Sequence, residues 1–430
     1  MTELEVYRLS FDVPVHVGTI VSREADGTKF FAYSETYIHD KDAIAISESL
    51  PLDKRHYAEE EFRPYFEGLL PEYEARSILC QELQINEHDY LTLLGVCGHD
   101  CIGDVVIREA AESFEREAFS YQALTEQELK NIFKTDRSTA FENIVSRLSL
   151  AGTQLKTGLT YTTDTDLSKS GWLKPKGLAA ASHIMKISDV RDIPEIEYVC
   201  MKAAKACGLS VADVSLENFG RQVLAVKRFD RHVSQSNQTV KVIRFHQEDL
   251  AQAFGVTSAS KYAELPGGSV AAIAEMLRRY TAQPAREITK FVQMLCFTYL
   301  IGDCDSHLKN YSLLWNSESR RPVFSPAYDL VCTTRFERFS REMAFDFGGE
   351  RLIDNIDAHT FDQLAKDLGI TSRMVKQIAK PLVEAVQPEL MNAGLGNYGR
   401  VFDSTYSVAE DIVDDCLPRV RVLETFCTSR

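Results

Sequence analysis

The chain is 430 residues long and carries 48 Lys and Arg against 63 Asp and Glu, a net charge of −15. Hydrophobic residues make up 44% and charged residues 26%, the make-up of an ordinary globular protein, and the length allows for two or three domains at roughly 150 residues each. These values exclude fibrous and disordered classes, and the acidic surplus discounts autonomous binding to a nucleic-acid backbone.

The N-terminus, Met-Thr-Glu-Leu-Glu-Val-Tyr-Arg, lacks the basic and apolar regions of a secretory signal, and strand-like patterning follows over Glu3 to Phe11, Val15 to Val21 and Lys29 to Tyr33. A helical stretch is expected around Glu60 to Leu83, then a Gly-punctuated loop over Gly95 to Asp104 and a strand at Asp104 to Arg108. Residues 112–134 are rich in Glu and polar groups; Thr125-x-x-Glu128 there is a capping box that opens a short helix, and a domain edge is placed in this stretch. Strands follow at His183 to Ile187, Val223 to Phe229 and Val240 to Phe245, with a helix at Ile196 to Cys207. Beyond 250 the apolar spacing turns helical: Val270 to Tyr280, Arg286 to Ile301, Thr360 to Leu368 and Thr371 to Ala379. The longest apolar stretch, Met294 to Ile301, is too short to span a bilayer, so no membrane association is expected. The fold class expected is α+β, a strand-rich front followed by a helical back.

Ten cysteines form no Cys-x-x-Cys and several lie in apolar runs, which reads as reduced thiols of a cytoplasmic protein. The ten histidines are scattered, so a zinc site is not expected.

The segment richest in chemistry is Gly302-Asp-Cys-Asp-Ser-His-Leu-Lys-Asn310, directly after an amphipathic helix. Asp305 and Asn310 stand five residues apart, the spacing at which a kinase catalytic loop presents a base and a metal-binding amide. His307 and Lys309 between them could touch phosphate oxygens, and Asp329, in Ser325-Pro-Ala-Tyr-Asp329, would add a hard oxygen ligand for Mg2+. Alone, this pattern also fits a polar loop whose Asp caps a helix. Lys186 lies in the apolar strand His183 to Ile187, where a lysine either grips phosphates or snorkels to water; Glu197 or Glu195 could pair with it. Small residues in Ser149-Leu-Ala-Gly-Thr-Gln-Leu-Lys156 would let backbone N–H groups approach phosphate, or form an ordinary turn. The strand ending Lys227-Arg-Phe-Asp-Arg231 could offer a hinge to adenine with Phe229 against the base, or pack Phe229 inward.

Together these segments, with Ser47-Glu-Ser-Leu-Pro-Leu52, Leu69-Leu-Pro-Glu72, Pro175-Lys-Gly177 and Gln247-Glu-Asp249, closely resemble the HipA family of bacterial serine/threonine kinases, toxins of type II toxin–antitoxin modules. The resemblance runs over nearly the whole chain. It implies a strand-rich N-terminal subdomain at 1–110, a kinase N-lobe with phosphate loop and hinge at 111–250, and an all-helical C-lobe with catalytic and metal loops at 251–430, a protein-kinase-like (PI3-kinase-like) fold. It further implies ATP and Mg2+ as cofactors, with Asp305 as base, Asn310 and Asp329 as metal ligands and Lys186 on phosphate. Ala151, Gly152, Thr153, Gln154, Leu155 and Lys156 would form the phosphate loop. His307, Lys309, Asn310 and Tyr328 would stand near the nucleotide, and Lys227 and Phe229 at the hinge. Ser149 would be the autophosphorylated residue that silences the kinase. The implied partners are a HipB-like DNA-binding antitoxin and a protein substrate, with an aminoacyl-tRNA synthetase as one candidate.

This sequence departs from the family pattern in three places. Lys227 stands where an acidic hinge residue is usual, and Cys101 where a Ser is usual. Phe347-Gly-Gly-Glu-Arg-Leu-Ile-Asp354 lacks a basic DNA-contact segment, so DNA would be reached only through the antitoxin. Competing readings are a helix-turn-helix regulator at 364–379, with Arg373 and Lys376 toward DNA, a lipid or small-molecule kinase, and a pseudokinase that only binds an antitoxin.

Overall fold

The computed structural model describes residues 2–10, 13–23, 25–109, 119–134, 155–236, 239–316 and 320–429. They fold as two compact units: Met1–Ser188, Glu217–Ser260 and Leu314–Arg320 make the first, and Asp189–Leu216, Lys261–Leu313 and Arg321–Arg430 the second.

The first unit begins with an antiparallel sheet of β1 (Thr2–Arg8), β2 (Val15–Ser22), β3 (Lys29–Tyr33), β4 (His56–Ala58) and β5 (Val105–Glu109), in the order β4-β3-β2-β1-β5. Alternation decides its faces: Leu4 and Val6 point into the core while Glu3 and Glu5 do not. Helices Glu59–Glu67, Tyr73–Leu83 and Tyr90–Cys97 add Phe62, Tyr65, Phe66, Leu79, Leu93 and Leu94 to the same core. The single helical stretch expected over Glu60 to Leu83 is therefore two helices. Pro71 separates them, since the residue before a proline is forced out of helical geometry.

A second, six-stranded sheet includes β6 (Ser120–Ala123), β7 (Leu155–Tyr161), β8 (Trp172–Lys176), β9 (His183–Ile187) and the strand Gln222–Lys227, which run in the order Gln222–Lys227, β9, β7, β8, β6. One face packs Met185, Ile187, Leu159, Trp172, Val223 and Ala225 against Leu129 of the helix Glu126–Ile132. That helix opens on the expected capping box: Glu128 N–H donates to Thr125 Oγ1 at 3.2 Å, and Thr125 N–H to Glu128 Oε2 at 2.8 Å. By the period of two, Ile184, Lys186 and Leu224 lie on the opposite face.

Buried charges hold the segments of this unit together. Asp230 accepts from Arg228 Nη2 at 2.8 Å, from Arg231 Nη1 at 2.6 Å and from Gly103 N–H at 2.8 Å. Arg231 and Arg244 reach Asp100 at 3.3 and 3.2 Å, and the Cys101 carbonyl accepts from Arg228 and Arg231. Gly103 has φ +74°, and a Cβ there would press on the backbone of Gln247, so glycine is required at that crossing. The Cys101 thiol donates to the Gly98 carbonyl at 3.5 Å, a bond that a serine could make equally well. A second clasp joins two of the family-like segments: Ser47 Oγ and Glu48 N–H both donate to Glu248, at 2.6 and 3.0 Å.

The second unit is mainly helical, with Ile193–Ala206, Ser269–Tyr280, Pro284–Ile301, Ala358–Asp367, Ser372–Gly394 and Asp403–Thr428. It departs from an all-helical plan at the short strand Val323–Phe324 and the hairpin Glu342–Phe347/Glu350–Leu352. Arg351 Nη2 donates to the carbonyls of Met343 and Ala344 at 3.1 Å each, so this arginine is used within its own hairpin. The helix expected at Thr371 to Ala379 extends to Gly394 through Pro381 and Pro388, packed along Asp403–Thr428 and held close where Gly394 meets Ala409. Lys376 donates to Ser429 O and Oγ at 2.9 and 2.8 Å and sits 4.9 Å over the Phe426 ring. One of the two cations of the helix-turn-helix reading is thus engaged by the terminal helix. No helix among the described residues is long and apolar enough to cross a membrane, and all ten cysteines are free thiols.

Candidate active site

In the second unit the helix Pro284–Ile301 ends at Gly302, whose φ of +74° gives a left-handed stop. Gly302 N–H bonds Tyr299 O at 3.2 Å and Asp303 N–H bonds Thr298 O at 2.9 Å, which turns the chain sharply out of the helix. The emerging loop is tied to the segment after Asp329: Thr333 N–H donates to Gly302 O at 3.1 Å, and Cys304 N–H donates to Thr333 Oγ1 at 2.9 Å. A Cβ on Gly302 would collide with Thr334 Oγ1 and crowd the Arg419 guanidinium. Gly302→Ala is expected to cost about 1–3 kcal/mol of stability through the unfavourable φ and the collision, measurable by denaturant unfolding.

Within the loop, Asp303, Cys304, Ser306, His307, Leu308, Lys309 and Asn310 are buried, while Asp305 is exposed. The loop is closed on itself: His307 N–H and Asn310 Nδ2 both donate to Asp305 O, at 2.8 and 3.1 Å. That bond occupies the Asn310 amide nitrogen and leaves its carbonyl oxygen as the group to meet a hard cation. Tyr328 donates to Lys309 O at 2.7 Å and lies 2.7 Å from Ser312 Oγ, which ties the segment carrying Asp329 to this loop. Asp329 has φ +60°, a left-handed conformation that Asp tolerates better than most residues and that often marks functional positions.

Two residues, one within the loop and one beside it, escaped sequence reasoning. Asp303 is fully buried; its Oδ1 accepts Asp305 N–H at 3.0 Å, and burial, then the nearby Asp305 and Asp329 carboxylates, push its carboxyl well above the usual range. Tyr262, distant in sequence, donates from its hydroxyl to Asp305 Oδ1, and its ring meets His307 edge-on at 4.9 Å. No spacing rule connects either residue with a kinase motif.

The first unit holds Leu155, Lys156, Lys186, Lys227 and Phe229. Ser149, Ala151, Gly152, Thr153 and Gln154 lie outside the described residues. Leu155 opens β7, and Lys156 stands directly opposite Lys186 in the β7–β9 register, so the two lysines share one face of the sheet. Lys186 is buried and Lys156 half-buried. Like charges directly opposite one another are unfavourable by themselves. Lys227 ends its strand exposed, opposite His183, while Phe229 is half-buried. In the second unit Glu195 and Glu197 are both buried on Ile193–Ala206, and Glu195 accepts from Ser404 Oγ at 2.9 Å.

Comparison with known proteins decides the family. Residues 148–390 match the HipA-like C-terminal domain family and residues 14–108 the HipA N-terminal domain family. The chain belongs to the HipA family. It is 31% identical over 373 residues to the protein named "Putative kinase Y4mE" of Sinorhizobium fredii, covering 85% of this chain and 86% of that one. It is also 25% identical over 400 residues to the serine/threonine-protein kinase toxin HipA of Shewanella oneidensis, covering 86% and 88%. The HipA fold itself is shared with the Shewanella oneidensis HipA solved with HipB and its operator DNA, at a TM-score of 0.82 and 20% identity over 99% of this chain and 100% of that one. The α+β class and the resemblance to HipA serine/threonine kinases, both expected from sequence, are borne out.

Proposed function

We propose that this HipA-family kinase transfers phosphate from ATP, with Mg2+, to serine or threonine of a protein, and is the toxin of a HipBA-like toxin–antitoxin module. The observation that carries the reading is the 302–310 loop, which presents an exposed Asp305 from an otherwise buried frame and fixes the Asn310 amide beside it. Asp305 would accept the proton of the acceptor hydroxyl. Asn310 and Asp329 offer the hard oxygen donors that Mg2+ prefers, and a divalent cation there would offset the charge of Asp305 and Asp329. Bound Mg2+ would supply charge neutralisation on the phosphates. Lys186 and Lys156 would hold phosphate oxygens, with 151–156 as the phosphate loop, Lys227 and Phe229 as the hinge, and His307, Lys309 and Tyr328 near the nucleotide.

Phosphate on Ser149 would bring about −1.5 to −2 charge to a segment built for ATP phosphates and so silence the kinase. The partition at 110 and 250 remains our assignment of the N-terminal subdomain, N-lobe and C-lobe. A HipB-like antitoxin would handle DNA. The net charge of −15 and the use of Arg351 within its own hairpin support an indirect role for this chain there. Cytoplasmic location and an aminoacyl-tRNA synthetase as substrate follow from the family resemblance.

Calorimetric titration with ATP tests the nucleotide site. Wild type should bind roughly 10-fold more tightly with Mg2+ than with EDTA, and Asp329→Asn should lose that difference. Equal binding under all conditions would count against Asp329 as a ligand, and no binding at all would count against ATP.

A further inference from the structure

The chain places a tyrosine against the proposed base. The segment Lys261–Tyr262 flanks the catalytic loop at three points: Lys261 O accepts Leu308 N–H at 3.4 Å, the Tyr262 hydroxyl donates to Asp305 Oδ1, and the Tyr262 ring packs edge-on against His307. Lys261 is 1% exposed, so the segment is anchored, whereas Tyr262 is 40% exposed and reaches Asp305 from the solvent side. We propose that Tyr262 is a positioning residue for phosphoryl transfer, orienting the Asp305 carboxylate through its hydroxyl. The inference rests on Asp305 being the base.

The physical need is specific. Asp305 is the exposed side chain of its loop, and an exposed carboxylate turns among rotamers, only some of which aim an oxygen at an acceptor. A hydrogen bond to Oδ1 from the Tyr262 hydroxyl restricts that rotation. Tyr262 touches no reacting atom and acts through Asp305, so its removal should slow the chemical step and spare nucleotide binding.

The test uses full-length wild type, Tyr262→Phe, Tyr262→Ala and Asp305→Asn. The acceptor is a synthetic peptide spanning the cellular site that gains most phosphate when wild type, but not Asp305→Asn, is induced; the donor is γ-labelled ATP with Mg2+. Tyr262→Phe keeps the ring against His307 and loses only the hydroxyl. It should lower kcat roughly 10-fold with the KM for ATP and the thermal midpoint unchanged. Wild-type kcat in Tyr262→Phe would overturn the proposal, and a slow Tyr262→Ala beside it would assign the effect to ring packing. Full transfer by Asp305→Asn, or no site dependent on Asp305, would instead remove the kinase reading beneath it.

Discussion

Asp230→Ala is expected to destabilise the first unit by about 3–5 kcal/mol, because it leaves the buried Arg228 and Arg231 guanidiniums without their shared carboxylate. The three groups depend on one another. Burial would raise the Asp230 carboxyl, but Arg228 and Arg231 outweigh burial and hold it below the usual carboxylate range; burial and then Arg228 pull Arg231 down to about 10. Since the folded carboxyl titrates below the unfolded one, its contribution to stability is present above about pH 4 and is lost as pH falls further. The resistance of wild type to urea unfolding should therefore fall on acidification below that point. Asp230→Asn, which keeps an acceptor for Gly103 N–H, should fall between wild type and Ala. A loss under 1 kcal/mol in Asp230→Ala would mean that the charge network contributes little.

The second large effect belongs to Asp305→Asn. The amide matches the carboxylate in shape but cannot take the acceptor's proton, so phosphoryl transfer should fall by about 10²–10⁴-fold. Asp305 is exposed, and its backbone carbonyl, not its side chain, closes the loop through His307 and Asn310. The variant should therefore fold and bind ATP as wild type does. That pairing, dead in transfer and intact in binding, separates a base from a binding or structural residue.

Much of this architecture is legible in the amino-acid order. The strands at Lys29–Tyr33 and His183–Ile187 fall where alternation places them, and the Thr125 capping box forms as its spacing predicts. The Asp305–Asn310 spacing leads directly to the loop. What stays hidden is long-range. Asp100, Asp230 and Arg244 look like surface charges until the fold buries them together, and the same holds for Ser47 and Glu248. Propensity also misjudges the helix Ser372–Gly394, whose Pro381 and Pro388 would ordinarily end it, because packing along the last helix outweighs the local cost. Tyr262 is the functional counterpart of these cases: a loop tyrosine gains its role only by where the chain carries it.

Phosphoproteomics after induction of wild type against Asp305→Asn tests protein phosphorylation through Asp305. Phosphoserine or phosphothreonine on cell proteins and on Ser149 is expected with wild type, and neither with Asp305→Asn. Equal phosphorylation in the two, or new phosphate on lipid and none on protein, would contradict it.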